Sequence, residues 1–303
     1  MAYNCVVLVK QVPDTKRVTG QTMNEDGTVN RAALPAIFNP EDLNALEMAL
    51  EIKDKFGGKV TVMTMGLPAA SEVLRESLYR GADEAILITD RGCAASDTLS
   101  TSYIISCGVK KLNYDVVLCG RQAIDGDTAQ VGPQLAEKLG ITQITYVQKL
   151  EDISDGHITA KRSIGNGFQQ VKCKLPVLLT VVGEANEPRV AASKKMMKYK
   201  KAFSLAEIIA LVKAENPDAD KDMINSLSER KARILEKNGT LIKQWDLNFL
   251  EADLQWCGRN GSPTKVHRIQ SIVLAAKETK AVEPTEKGIS EMIHELIIDK
   301  TIS

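Results

Sequence analysis

Strand-like and helix-like segments alternate through the first 150 residues, and that alternation restricts the fold more than any other feature of the chain. Short apolar runs at Asn4 to Val9, Lys59 to Met65, Glu84 to Thr89, Val116 to Cys119 and Gln143 to Val147 have the length of buried strands. Between them lie segments with apolar residues three and four apart. The first helix starts at Asn39-Pro40-Glu41-Asp42, with Asn39 as N-cap and Pro40 in the first helical position. It continues through Leu43, Leu46, Ala49 and Leu50 to Gly57 and Gly58. The second spans Ala69 to Arg80 and stops at Gly81; the third spans Thr98 to Leu112 with Asp97 as its cap. Such a pattern predicts a parallel sheet with helices on both faces. Ligands in such sheets bind beyond the carboxyl ends of the strands, where the strand order reverses.

The fourth unit is the most distinctive. Val116 to Cys119 ends at Gly120, and Val131, Leu135, Ala136 and Leu139 resume at helical spacing until Gly140. Between strand and helix runs a polar turn: Arg121, Gln122, Ala123, Ile124, Asp125, Gly126, Asp127, Thr128, Ala129 and Gln130. The first amides of a helix lack internal partners and face a positive dipole, so this turn suits a phosphate group. Gly126 has no Cβ and lets a ligand approach the backbone. Thr128 can donate to a phosphate oxygen. Asp125 and Asp127 are expected as helix caps. Val9, Met65, the Asp97-Thr98 region and Asn39 occupy the same predicted rim, which favours a nucleotide over an ordinary turn that holds nothing. Neither GxGxxG nor GxxxxGK[ST] occurs.

Residues 15 to 38 form a long polar connection with hairpin character near Glu25, Asp26 and Gly27. From Lys149 the period shortens to two. Lys149 to Ile153, His157 to Ile164 and Phe168 to Lys174 are expected as antiparallel strands, followed by a buried strand from Pro176 to Val182. A basic segment, Asn186 to Lys201, carries Met196 and Met197. It is either a solvated face or a partner-docking segment, for which adaptable methionines are suited. Ser204 to Glu207 spells a capping box; helices are expected near 205 to 212, 222 to 237 and 286 to 300, with irregular chain from Trp245 to Ser262 and a strand at Ile269 to Leu274. The implied units are residues 1–185, 186–201 and 202–303.

A formal net charge of zero gives no general attraction to nucleic acid. Three scattered histidines and six cysteines without CxxC spacing give no expectation of a metal site. No run is long enough to cross a membrane and no leader composition is visible, so a reducing, cytoplasmic setting is expected.

Over nearly its whole length the chain resembles the small (beta) subunit of electron-transferring flavoproteins. The resemblance rests on Val9 to Asp14, Asn39-Pro40, Leu78 to Ala85, Gly120 to Pro133, Asn186 to Arg189 and Gly261 to Lys265. It implies an α/β, Rossmann-like (adenine nucleotide α-hydrolase-like) fold with a parallel sheet, an antiparallel β segment and a helical C-terminal arm. It also implies a large (alpha) subunit as partner and, at the central motif, either FAD or structural AMP. Asp125 to Pro133, with Asp97 to Tyr103, is most similar to the electron-bifurcating members. In those, FAD takes hydride from NADH and sends electrons to an acyl-CoA dehydrogenase and to ferredoxin or flavodoxin. On this basis the cofactor-binding residues are Val9, Asn39, Asp42, Met65, Thr98, Thr101, Gly120 and the turn through Val131. None is expected to catalyse, because the flavin performs the redox step. The resemblance assigns Asn186, Glu187, Pro188, Arg189, Ser193, Lys194, Met196 and Met197 to partner docking. Ser193 and Ala191 stand where leucine and proline are common in the family, and residues 204 to about 243 resemble an insertion. The competing class is a stand-alone nucleotide-binding module, but the Ser-Gly-Gly-x-Asp-Ser loop of one such group is missing after the first strand.

Overall fold

The computed structural model describes residues 2–14, 34–265 and 281–298. The expected hairpin near Glu25, the strand at Ile269 to Leu274 and the last two residues of the final helix lie outside the described residues. In chain order the elements begin with β1 (Cys5–Leu8), β2 (Gln11–Pro13), β3 (Ala36–Phe38), α1 (Pro40–Phe56), β4 (Val60–Met65), α2 (Ser71–Arg80) and β5 (Glu84–Ile88). Then come α3 (Thr98–Val109), β6 (Val116–Gly120), α4 (Val131–Leu139), β7 (Thr142–Ser154), β8 (His157–Ser163), β9 (Phe168–Lys174) and β10 (Val177–Val181). The last are α5 (Ser193–Tyr199), α6 (Leu205–Glu215), α7 (Lys221–Lys237), β11 (Lys243–Trp245), α8 (Gly258–Gly261) and α9 (Glu286–Ile298).

Among the described residues one nine-stranded sheet runs β11-β5-β4-β1-β6-β10-β7-β8-β9, and β2 and β3 form a separate antiparallel pair. The seven strands from β11 to β7 are parallel; β8 and β9 continue antiparallel. From β1 the chain builds outward through β4 and β5, then returns to place β6 on the other side of β1. The strand order therefore reverses between β1 and β6.

The central strands are buried and largely apolar because both faces are covered. In β1, Cys5 and Val7 join one core with Leu46 and Leu50 of α1 and Leu74 of α2. Val6 and Leu8 point the other way, to Ile104 of α3 and Leu135 of α4. Helix stops fall where glycine was expected: Gly57, Gly81 and Gly140 follow α1, α2 and α4, with Gly140 in the left-handed region at φ 66°.

Several elements differ from expectation. The strands predicted at Gln143 and Lys149 are one thirteen-residue strand, β7. It pairs parallel with β10 in its first part and antiparallel with β8 in its second, with irregular register near Val147. Residues 193–199 of the proposed docking loop are helical. The stretch expected to be irregular begins with β11, whose Trp245 lies beside Ile88 of β5. The insertion-like stretch is a helical hairpin, α6 and α7, with its own small core of Ile208, Val212 and Ile224. Among the described residues no helix is long and apolar enough to cross a membrane.

Candidate functional site

The reversal between β1 and β6 leaves a crevice at their carboxyl ends. Lys10 follows β1 on one lip, and the turn from Arg121 to Gln130 follows β6 on the other. The start of α1 joins the two. Asn39 is wholly buried and stands at the N-cap position, but its side chain caps nothing. Its Nδ2 donates to the Gln122 carbonyl at 2.9 Å, and its Oδ1 accepts from the Ile124 amide at 3.1 Å. The expected cap is thus corrected: Asn39 gives both ends of its amide to the turn.

Asp42 works in the same way. Its Oδ1 accepts from the Gly120 amide and its Oδ2 from the Lys10 amide, each at 2.9 Å. Burial pushes its carboxyl up to about 7; hydrogen bonds from the Gly120 amide, Asn39 and the Lys10 amide oppose that rise. Its side chain faces protein, so Asp42 shapes the crevice from beneath. Glu41, which the sequence did not single out, accepts from the Gln122 amide at 3.0 Å and pairs with Arg121 at 3.0 Å. Three polar residues at one helix start, Asn39, Glu41 and Asp42, therefore hold the backbone at Gly120, Gln122 and Ile124 and at Lys10, just past β1.

The turn itself is tightly wound. The Asp127 amide donates to the Ala123 carbonyl at 2.9 Å. Asp127 and Ala129 both lie in the left-handed region, at φ 48° and 53°. That conformation costs non-glycine residues roughly 1–2 kcal/mol each and persists where neighbours over-determine it. Asp125 and Asp127 are not helix caps. Both oxygens of Asp125 lie 2.8 Å from Lys10 Nζ, and Asp127 Oδ1 accepts from Gln122 Nε2 at 3.0 Å. Helix α4 starts after Gln130 with no side-chain cap. A Cβ on Gly126 would meet nothing within 4 Å, whereas one on Gly132 would strike Thr180 and Cys119 at 2.8 and 2.9 Å. Open space thus lies above the turn, and close packing of helix on strand lies behind it.

Thr98 joins this region from α3. Its hydroxyl lies 2.9 Å from Gln130 Oε1 and 3.3 Å from Gln134 Nε2. Two helix starts, those of α3 and α4, consequently meet at one edge of the crevice. Asp97 caps α3 as expected, accepting from the Ser100 amide at 2.9 Å. It also accepts from the amide and hydroxyl of Thr264, at 3.0 and 2.6 Å. Burial opposes the Asp97 charge, but the bonds from Ser100 and Thr264 prevail and hold its carboxyl below the usual range. Val9 is buried at the end of β1, with Met65 half-buried at the end of neighbouring β4; Thr101 lies one turn further along α3.

The residues proposed for partner docking form a separate group. Arg189 places Nε and Nη2 on the buried Glu47 of α1 at 2.9–3.1 Å, and Nη2 also reaches Asp54 at 2.9 Å. Asn186 exchanges hydrogen bonds with Asn44 at 2.8–3.0 Å. Beyond these roots, Ser193, Lys194, Met196 and Met197 are exposed, as is Glu187; Pro188 is half-buried. Among the described residues no group of three His, Cys, Asp or Glu side chains could hold a metal ion.

Fold and site together define a doubly wound α/β protein whose strand order reverses between β1 and β6. The electron transfer flavoprotein domain matches residues 26–207. The chain is 39% identical over 293 residues to electron transfer flavoprotein subunit beta of Clostridium acetobutylicum, covering 97% of each chain. It is 45% identical over 210 residues to acryloyl-CoA reductase electron transfer subunit gamma of Anaerotignum propionicum, covering 68% of this chain and 78% of that one. It is 49% identical over 186 residues to caffeyl-CoA reductase-Etf complex subunit CarD of Acetobacterium woodii, covering 61% and 70%. The chain belongs to the electron transfer flavoprotein beta-subunit family.

Proposed function

We propose that this chain is the small subunit of a heterodimeric electron-transferring flavoprotein and holds FAD in the crevice between β1 and β6. The observation that carries this is the turn at residues 120–131. It stands at the reversal of strand order, is braced by Asn39, Glu41 and Asp42, and leads into an uncapped helix start.

In this proposal the turn and the first amides of α4 receive the phosphates, with Thr128 as a hydroxyl donor. Val9 and Met65 line the adenosine end, and Asn39 and Asp42 position the backbone around it. Thr98 and Thr101 lie toward the flavin ring. Bound FAD supplies hydride acceptance from NADH and electron delivery to an acyl-CoA dehydrogenase and to ferredoxin or flavodoxin. The protein supplies position and electrostatics. The exposed segment from Ser193 to Met197, rooted through Arg189 and Asn186, is the proposed docking surface for the dehydrogenase. The large subunit is the obligate partner. This reading is supported by two relatives, the electron transfer subunit gamma of an acryloyl-CoA reductase and subunit CarD of a caffeyl-CoA reductase-Etf complex.

The deciding measurement is the flavin content of the purified two-subunit complex. About two flavins per heterodimer, both responding to NADH under anaerobic conditions, is the expected outcome. One FAD together with AMP replaces the bifurcating assignment with the structural-AMP one. A flavin-free chain that is stable alone and hydrolyses ATP removes both.

A further inference from the structure

After β11 the chain runs back along the approach to α3. The Thr89 amide donates to the Trp245 carbonyl at 3.0 Å, and the Leu247 amide donates to Asp90 Oδ2 at 3.3 Å. The Asp253 amide donates to the Tyr103 hydroxyl at 2.9 Å. Gly258 lies backbone to backbone against this approach, since a Cβ there would overlap the Gly92 carbonyl. The same segment then reaches Asp97. Ser262 is buried; its hydroxyl accepts from the Asp97 amide at 2.8 Å and donates to the Gly258 carbonyl at 2.7 Å. Thr264 gives Asp97 Oδ2 both its amide, at 3.0 Å, and its hydroxyl, at 2.6 Å.

A helix cap needs one acceptor oxygen, and Asp97 Oδ1 supplies it to the Ser100 amide at 2.9 Å. Oδ2 is not needed for that task and is turned instead to a residue 167 positions away. The bonds to Thr264 lie at the surface, where water competes for the same groups, so their net contribution to folding is small. What they fix is position. The next residue, Thr98, lies 2.9 Å from Gln130 Oε1 and 3.3 Å from Gln134 Nε2. The start of α3 is thus held on one side by residues 262–264 and on the other by the start of α4.

We propose that Asp97 is a positioning residue for the cofactor edge of the crevice: its carboxylate clasps Thr264 to the start of α3, and that clasp holds Thr98 where α3 and α4 meet. This rests on the assignment of the crevice to FAD with its ring toward Thr98. One side chain thereby serves as helix cap and as clasp, and the cofactor edge depends on a segment far along the chain.

Asp97→Ser separates the two roles, because serine caps a helix about as well as aspartate but has a single side-chain oxygen. The experiment follows flavin release from the purified two-subunit complex after dilution, by the rise in flavin fluorescence, with the second flavin of the complex as internal reference. In Asp97→Ser one flavin should leave about tenfold faster, as expected for loss of hydrogen bonds to a charged group. The other flavin should leave at the natural rate, and the denaturation midpoint should not move. Asp97→Ala should lower the midpoint as well, because the cap goes with the clasp. Thr264→Val should speed release of the same flavin, and Thr264→Ser should keep the natural rate. Asp97→Ser combined with Thr264→Val should release no faster than Asp97→Ser alone, as two ends of one contact do. A natural release rate in Asp97→Ser overturns the proposal, as does an additive double variant or equal acceleration of both flavins. Should Asp97→Ser not assemble, Thr264→Val against Thr264→Ser decides, and equal release from the two overturns it. A natural complex whose small subunit holds AMP or no nucleotide defeats the FAD assignment and this inference with it, and that outcome is read before any variant is made.

Discussion

A Cβ on Gly120 would lie 2.6 Å from Asp42 Oδ1 and 2.8 Å from the backbone carbon and Cβ of Glu41. All three contacts are to the first turn of α1, two of them to the backbone carbon and Cβ of Glu41, so a methyl group must move a helix. Gly120→Ala should therefore destabilise the chain by about 1–3 kcal/mol, read as a lower midpoint in chemical denaturation, and should weaken nucleotide retention with it. Asp42 invites a second substitution. Asparagine keeps one acceptor oxygen but turns its NH₂ toward a backbone amide that also needs an acceptor. Asp42→Asn should cost about 1–3 kcal/mol for that orphaned donor. The pH dependence has a defined sign. Burial raises the native carboxyl to about 7, above its value in the unfolded chain, so the native state holds the proton more tightly. Stability contributed at Asp42 is then lost as pH rises toward and through 7. The stability gap between the natural protein and Asp42→Asn should narrow from pH 5 to pH 8 in parallel denaturation curves. Much at this scale was not legible in the sequence. Asn39 reads as a cap because Asn before Pro at a helix start usually is one; its actual partners lie 83 and 85 positions away. Asp125 failed as a cap for the same reason, since local spacing cannot reveal that Lys10, 115 positions earlier, stands opposite; Asp127 meets Gln122, five positions earlier, instead.

Elements buried on both faces were the easiest to see, because continuous apolar runs have few other uses. β1, β4 and β5 fall within the predicted segments, β6 exceeds its segment by Gly120, and the crevice follows from their order. Three-residue β11 has no such run; it becomes a strand only because β5 offers a free edge. Lys243 of β11 and Lys59 both pair with Glu84, so charges fasten that edge where apolar area is small. β7 was divided in two because its partner changes from parallel β10 to antiparallel β8, and Tyr146 takes a left-handed φ of 58° at the change. The segment from Asn186 gains its fixed start from one contact set. Glu47 is buried and accepts from the Arg189 guanidinium and amide, so removing the arginine leaves a carboxylate without its counter-charge. Arg189→Ala should cost about 1–3 kcal/mol, discounted from the value for a deeply buried pair because the arginine is a third exposed. Limited proteolysis within residues 186–201 should accelerate at the same time. Arg189→Lys should recover little, since a single ammonium cannot reproduce the forked contact.

On the scale of the whole molecule, the chain contains a complete sheet and an uncovered arm. The two large cores enclose the central strands from both sides, and neither includes a residue of α9. Helix α9 buries no residue at all. Ile289, Met292, Ile293 and Ile297 recur at helical spacing and are 37–51% exposed. Each such side chain is worth about 1.5–3 kcal/mol when fully buried, a return that this chain leaves uncollected. The helix also carries i,i+4 pairing of Lys287 with Glu291 on a solvated face, so apolar and charged residues are sorted. A sorted helix with an empty apolar face fits the proposed role as one half of a heterodimer. Truncation after residue 280 should therefore leave the sheet's denaturation midpoint unchanged within experimental scatter, because no residue of α9 belongs to either large core. It should release the large subunit in size-exclusion chromatography, where the full chain co-elutes with it. A truncated chain that still co-elutes would assign the subunit contact to other surfaces, and a lowered midpoint would show that α9 supports the sheet. Because the crevice is built from β1, β6, α1, α3 and α4, AMP titrated into the truncated chain should bind as it does to the full chain alone, which separates loss of assembly from loss of the site.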